Sequence, residues 1–306
     1  MIRRAMGDLG VSTEFVQVGE EFATSVSHIL LDPTGERAII MAPASTGTIT
    51  EAVFRQYFTE AVAQAPMVTT EISQVPLSGV HAMLDMARGV SCLDVDVPPS
   101  VASGDAGLGT LQEVLSVARA ATVVKPTLEA ASELLALAAS HGESCDPAYV
   151  GNRIEEDLAG VASQLREALG AKLVAVTDGK KGCGLAALGP EELAAVVPVF
   201  PGVNQVDSTG AGDAFFGGMV ATLHGCGLPA TMQDLVHLGK VASATGAACC
   251  EVLGALPSAT SGDRAAQLYP DARAPTAPAR PTAAATPGAL PAQSLQADAD
   301  TAAALA

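Results

Sequence analysis

The sequence predicts an α/β fold, a mainly parallel sheet with helices on both faces, preceded by a small β hairpin. Three observations predict it. Between Met67 and Thr177, short apolar runs of the fully buried kind alternate with segments of helical spacing, which is the mark of βαβ units. Hydrophobic residues make up 49% of the 306 positions, while aromatics are only 3% and Trp is absent, so the core must be built from Ala, Val, Leu and Ile. Finally, a run of small residues ending in an acid, Gly210-Ala211-Gly212-Asp213, opens directly into a helical segment.

In chain order, Met6–Val11 reads as the end of a helix with a Gly stop. Phe22–Leu31 and Glu36–Met41 read as strands around the turn Asp32-Pro33-Thr34-Gly35. Glu51–Ala63 has helical spacing, with Val53, Phe54, Tyr57, Phe58 and Val62 apolar. Next come a strand at Met67–Ile72, a helix at Leu77–Arg88 closed by Gly89, and a buried-type strand at Val90–Val95. Helix Gly109–Arg119, strand Thr122–Lys125 and helix Leu128–Ala139 follow. After the polar break His141-Gly142-Glu143-Ser144, a longer helix is expected over Tyr149–Leu169 and a buried strand over Lys172–Thr177. Cys183–Leu188 and Ala194–Phe200 are strand-like. Beyond them, Phe215, Phe216, Met219, Val220 and Leu223 fall near one helical face, with His224 and Gly225 as its stop. Thr231–Cys250 is a last, Ala-rich helix. Residues 1–262 are therefore expected to form one domain. Residues 263–306, dominated by Ala and Pro from Ala272 onward and without periodicity, are expected to be a disordered tail.

Composition removes several function classes. A formal charge of −17 argues against nucleic acid or an anionic membrane as a partner, since both call for a basic surface. No apolar run is long enough to span a bilayer. The six cysteines show no Cys-x-x-Cys spacing and the five histidines no His-x-x-x-His pair, so zinc and disulfide scaffolds are not expected. Met1–Met6 carries two arginines but no apolar segment follows, so no secretory signal is read and a cytoplasmic protein with reduced cysteines is the expectation.

Chemistry concentrates at Asp207-Ser208-Thr209-Gly210-Ala211-Gly212-Asp213-Ala214-Phe215-Phe216-Gly217-Gly218. The first turn of a helix has amides without intrahelical partners and the positive end of the dipole. Gly210, Ala211 and Gly212 leave that end open, so an anion could sit on the backbone. A carboxylate there, Asp213, would repel phosphate unless it has another task, such as taking a proton from an attacking hydroxyl. A plain Gly-rich turn with a helix-favouring acid is the simpler reading of the same residues. Gly217 and Gly218 each cost about 1 kcal/mol inside a helix, which points to close approach of other backbone or of ligand. Elsewhere, Asp94 and Asp96 end a strand with two carboxylates on one side of the pleat. Thr127 suits an N-cap, and Thr177-Asp178-Gly179-Lys180-Lys181-Gly182 reads as a tight turn at a strand end.

The string Asp207–Gly218 resembles the C-terminal signature of the ribokinase-like (PfkB) family of sugar and nucleoside kinases. The resemblance runs from about Leu9 to Leu256. It implies a ribokinase-like fold in which the hairpin, about residues 15–48, is a β lid that can pair between subunits into a homodimer. It implies ATP-dependent phosphorylation of a hydroxyl on a small sugar, with a nucleoside kinase or a catalytically impaired nucleotide-binding protein as alternatives. Asp213 is then the base and Gly210, Ala211 and Gly212 the anion hole. Thr177, Gly179 and Gly182 match the family's Thr-x-Gly-x-x-Gly turn that contacts ATP. The family's Pro-Asn-x-x-Glu turn, which positions the magnesium of Mg–ATP, is met by Pro126 and Thr127 with Glu129 one residue early. Asp207 and Thr209, completed by Gly254-Ala255, correspond to positions that hold potassium (K+) in the family. The family's Asp-x-Asn-x-Arg becomes Asp94-Val95-Asp96-Val97-Pro98. Family members begin with a strand and a Gly-Gly…Asn sugar-binding segment, which this chain is expected to lack.

Overall fold

The computed structural model describes residues 2–16, 18, 23–31, 37–42, 44–145, 157–255 and 261–272. Two units are distinguished. In the described part of Met1–Thr24, helix α1 (Ile2–Asp8) is closed by Gly10 at φ 77°, with the Val11 amide returning to the Met6 carbonyl. The second unit, Ser25–Thr276, carries everything that follows.

The hairpin pairs β1 (Val26–Leu31) with β2 (Arg37–Ala42) antiparallel, with Ile29 opposite Ile39. Its expected turn at 32–35 and its expected start at Phe22 lie outside the described residues. The helix expected over Glu51–Ala63 is two helices, α2 (Glu51–Tyr57) and α3 (Thr59–Gln64), broken at Phe58, whose φ −121°, ψ −2° leaves the helical region. Phe54 and Phe58, four residues apart, still meet edge to face at 5.5 Å there.

The main sheet has six strands in the order β3-β4-β5-β6-β7-β8. β3 (Met67–Glu71), β4 (Val90–Val95), β5 (Val123–Pro126) and β6 (Leu173–Thr177) run parallel, and β7 (Cys183–Leu188) and β8 (Glu192–Val197) are added antiparallel. The parallel crossovers are α4 (Leu77–Met86), α5 (Leu111–Ala120), and α6 (Leu128–Ser140) with α7 (Leu158–Leu169). Their apolar stripes cover the face carrying Leu93, Val95, Val124, Val174 and Val176. The opposite face, with Cys92, Val123, Leu173 and Ala175, is covered by α8 (Ala211–Cys226) and α9 (Met232–Cys250). The expected ribokinase-like layering, helices on both faces, is what these strands require, since neither face can meet water.

Some boundaries moved for identifiable reasons. α7 begins at Leu158, capped by the Asp157 side chain accepting from the Gly160 amide, and 146–156 lie outside the described residues. α5 opens at a capping box between Thr110 and Glu113. α8 runs through Gly225 and stops at Gly227, whose φ of 80° makes it the true terminator. Residues 263–272, expected in the tail, are instead ordered: α10 (Ser261–Leu268) and a following 3₁₀ turn pack Ala265, Leu268, Tyr269 and Ala272 against Phe200, Ala244 and Ala248. Arg264 clamps Glu251 at 2.5 and 2.9 Å, and Tyr269 meets His237 at 3.1 Å. Residues 273–306 lie outside the described residues.

The two helix glycines of α8 separate cleanly. A Cβ on Gly218 would come within 2.2 Å of Thr245 Oγ1 on α9, so the close approach expected of it is real. A Cβ on Gly217 would meet no protein atom within 4 Å, and the residue is exposed, so no other backbone approaches it. Gly217→Ala should stabilise the protein by about 1 kcal/mol, because it removes unfolded-state entropy without a clash. Gly218→Ala should destabilise it by pushing α8 off α9. Urea unfolding of the two variants checks the opposite signs.

Candidate active site

Parallel strands bring their carboxyl ends to one edge of the sheet, and the chemistry gathers there. Glu71, Asp94 and Lys125 are register partners across β3, β4 and β5, and such partners share a face. Asp94 lies two residues beyond Cys92, on the face covered by α8 and α9. The Lys125 Nζ donates to both Asp94 oxygens, at 2.9 and 3.1 Å, and the two residues are 1% and 4% exposed. Burial pushes the Asp94 carboxyl up, to about 7, against the pull of Lys125, and Asp96 and Asp213 add to the push. Burial likewise raises Glu71, whose carboxylate accepts from the Ser73 hydroxyl and amide. Of the two carboxylates expected on one side of the pleat, Asp94 is buried and ion-paired, while Asp96 follows the strand and is exposed.

The N-terminus of α8 supplies the second half of the site. Gly210 caps the helix at φ 81°, ψ −1°, a left-handed conformation that favours glycine. A Cβ there would also strike Ala255, whose Cα lies 2.8 Å from that point. The Ala211 amide bonds to the Ser208 carbonyl and the Ala214 amide to the Gly210 carbonyl, which leaves the amides of Gly212 and Asp213 pointing out of the helix end. Asp213 is exposed in the same turn, and a Cβ on Gly212 would lie 3.3 Å from Lys125 Nζ. Asp213, the helix-end amides, Asp94 and Lys125 thus share one locus.

Asp207 ties this turn to the return from α9. Its carboxylate is 3% exposed and accepts from the Thr209 amide at 2.8 Å and the Gly254 amide at 2.9 Å. Thr209 is buried too, and its hydroxyl oxygen has no hydrogen-bond partner. An orphaned buried hydroxyl beside a carboxylate is a hard-oxygen donor set that fits a monovalent cation.

The other expected residues are placed as follows. Thr127 and Thr177 bridge the ends of β5 and β6, and the Thr177 hydroxyl reaches the Pro126 carbonyl at 3.4 Å. The Thr127 side chain caps α6 by accepting from the Ala130 amide at 3.2 Å. Glu129 is exposed in the first turn of α6, and a single open carboxylate of this kind fits magnesium, which keeps most of its waters. Among the described residues no cluster of three acidic, Cys or His ligands forms a metal site. Gly179 and Gly182 have φ of 44° and 94°, and a Cβ on Gly182 would lie 2.2 Å from the Val197 carbonyl, so that glycine is required both by its backbone conformation and by packing against the end of β8. Lys125 was missed as a site residue. The signal was present, since it is the one charged residue in the four-residue strand Val-Val-Lys-Pro, otherwise apolar and wholly buried.

An acid beside open helix-end amides, at the carboxyl edge of a parallel sheet, can take a proton from a hydroxyl next to a bound anion. The pattern of the pfkB family of carbohydrate kinases matches residues 1–261, and the chain belongs to that family. It is 27% identical over 248 residues to an uncharacterized sugar kinase of Archaeoglobus fulgidus, covering 80% of this chain and 84% of the relative. Over 90 residues it is 38% identical to a fructokinase-2 of Oryza sativa subsp. japonica, covering 29% of this chain and 26% of that protein. A ribokinase from Thermotoga maritima shares the fold with a TM-score of 0.62 at 19% identity, over 87% of this chain and 75% of that one. The protein is a sugar or nucleoside kinase by family, and ATP is the donor expected of such kinases. No helix among the described residues is long and apolar enough to cross a membrane.

Proposed function

We propose that the chain is an ATP-dependent kinase that phosphorylates a hydroxyl of a small ribose- or fructose-like sugar. The observation that carries this reading is the exposed carboxylate of Asp213 in the same helical turn as the outward amides of Gly212 and Asp213. Asp213 takes the proton of the acceptor hydroxyl, and the helix-end amides, with Gly210 and Ala211 shaping the turn, hold the phosphoryl oxygens as charge builds on them. Thr127, Thr177, Gly179 and Gly182 line the nucleotide side. Glu129 would hold magnesium through water, and Asp207 and Thr209 would hold potassium; when bound, these cations neutralise phosphate charge. The fructokinase relative supports a sugar acceptor. Six free cysteines suit a reducing compartment such as the cytoplasm. ADP release measured with ribose, fructose, adenosine and pseudouridine tests the proposal. Turnover with a sugar supports it; ATP binding without turnover of any acceptor would instead support a non-catalytic nucleotide-binding protein.

The lid hairpin supports a homodimer. Val26, Ile29, Leu30, Ile39 and Ile40 are all exposed on a two-stranded sheet, and such a sheet is marginal in water without a partner surface. Ile29→Asp with Ile39→Asp places like charges opposite each other on that sheet. The double variant is expected to run as a monomer in sedimentation where the unaltered chain runs as a dimer. A monomeric unaltered chain would refute the assembly.

A further inference from the structure

Lys125 is not explained by stability. It is the only cation among the buried described residues, and a buried Lys–Asp pair is commonly no better than apolar residues of the same volume. Its position is more telling. Nζ is held by both oxygens of Asp94 and lies 3.3 Å from where a Gly212 Cβ would be, against the first turn of α8. Any larger residue at position 212 would press on that ammonium. Around it the carboxylates gather: Asp96 and Asp213 lie close enough to help push Asp94 up, Asp213 adds to the rise of Asp96, and Asp96 to that of Glu71. A polyphosphate approaching the helix-end amides would meet this negative field, and the low dielectric of a buried edge makes each charge there count several-fold more than in water.

We propose that Lys125 is a positioning residue of the phosphoryl site. Asp94 orients its ammonium, and that fixed positive charge offsets the surrounding carboxylates so that the terminal phosphate of a nucleoside triphosphate settles on the amides of Gly212 and Asp213. The inference rests on the kinase reading. It assigns Lys125 the recognition of the third phosphate in particular, since the charge sits at the helix end and not along the Thr177–Gly182 turn.

Calorimetric titration with ATP and with ADP, in magnesium chloride and without acceptor, tests it on the full chain. The absence of acceptor matters, because any effect of the Asp94 substitution on acceptor binding then cannot move the result. Lys125→Met removes the charge, and Lys125→Met with Asp94→Leu removes it without leaving a carboxylate buried alone, which keeps a folded variant in hand. The unaltered chain is expected to prefer ATP over ADP, and this preference to fall by about 10-fold or more in both variants, a loss of about 1.4 kcal/mol. Lys125→Arg should regain part of it. If the double variant keeps the preference of the unaltered chain, the inference is overturned and Lys125 is only the counter-ion of Asp94. Equal binding of the two nucleotides by the unaltered chain overturns it too. If the unaltered chain binds no ATP at all, the kinase reading falls first and this inference with it.

Discussion

Asp213→Asn is expected to lower turnover by about 10³-fold, within the range usual for loss of a general base. The substitution keeps the shape of the side chain in the first turn of α8 and leaves the outward amides in place, so ATP affinity should persist. It removes one favourable charge from a helix N-terminus, worth roughly 0.3–1 kcal/mol, but also removes one of the carboxylates that push Asp94 up. The two effects oppose each other, and the melting temperature should shift little. Coupled measurement of ADP release together with nucleotide titration separates the chemical loss from a binding loss. Unchanged turnover would remove Asp213 from the base role and with it the main support for the proposed reaction. A matched fall in ATP affinity would instead place the carboxylate on the nucleotide side.

The fold was legible because the strands are buried on both faces and the crossovers are amphipathic; Val90–Val95 and the region of Lys172–Thr177 could hardly be anything else. The α8 turn was legible because its residues are local in sequence, and the structure places the cap, the amides and the acid within one helical turn. What stayed hidden depends on distant neighbours. Lys125 and Asp94 are 31 residues apart, and only the parallel register of β4 with β5 makes them a pair. The difference between Gly217 and Gly218 is invisible in sequence, because it turns on which one faces Thr245 across the α8–α9 contact. The α10 segment was mistaken for tail because Ala-rich composition masked a short helix whose anchors, Arg264 and Tyr269, find their partners on or next to α9. The break at Phe58 was hidden too, since its spacing with Phe54 suits a continuous helix and only the backbone at Phe58 departs from one.

Gly210→Ala is the stability change expected to be largest at the site. At φ 81° a Cβ costs about 1–2 kcal/mol from backbone conformation alone. The added atom would also lie 2.8–2.9 Å from Ala255, partly against backbone that cannot rotate away. A loss of about 2 kcal/mol or more, and a fall in melting temperature of roughly 4–8 °C, should follow. Relief of the clash requires either the return after α9 or the first turn of α8 to move. The Asp207 carboxylate binds these two segments together through Thr209 and Gly254, so movement of one disturbs the other. The outward amides then lose their aim, and losing a single well-placed donor costs about 10²-fold or more in comparable sites. Gly210→Ala should therefore lose both stability and turnover, whereas Asp213→Asn loses turnover alone and Gly217→Ala gains stability with turnover kept. If Gly210→Ala melts and turns over like the unaltered chain, the left-handed cap is not what aims the amides, and the anion site must be built from other groups.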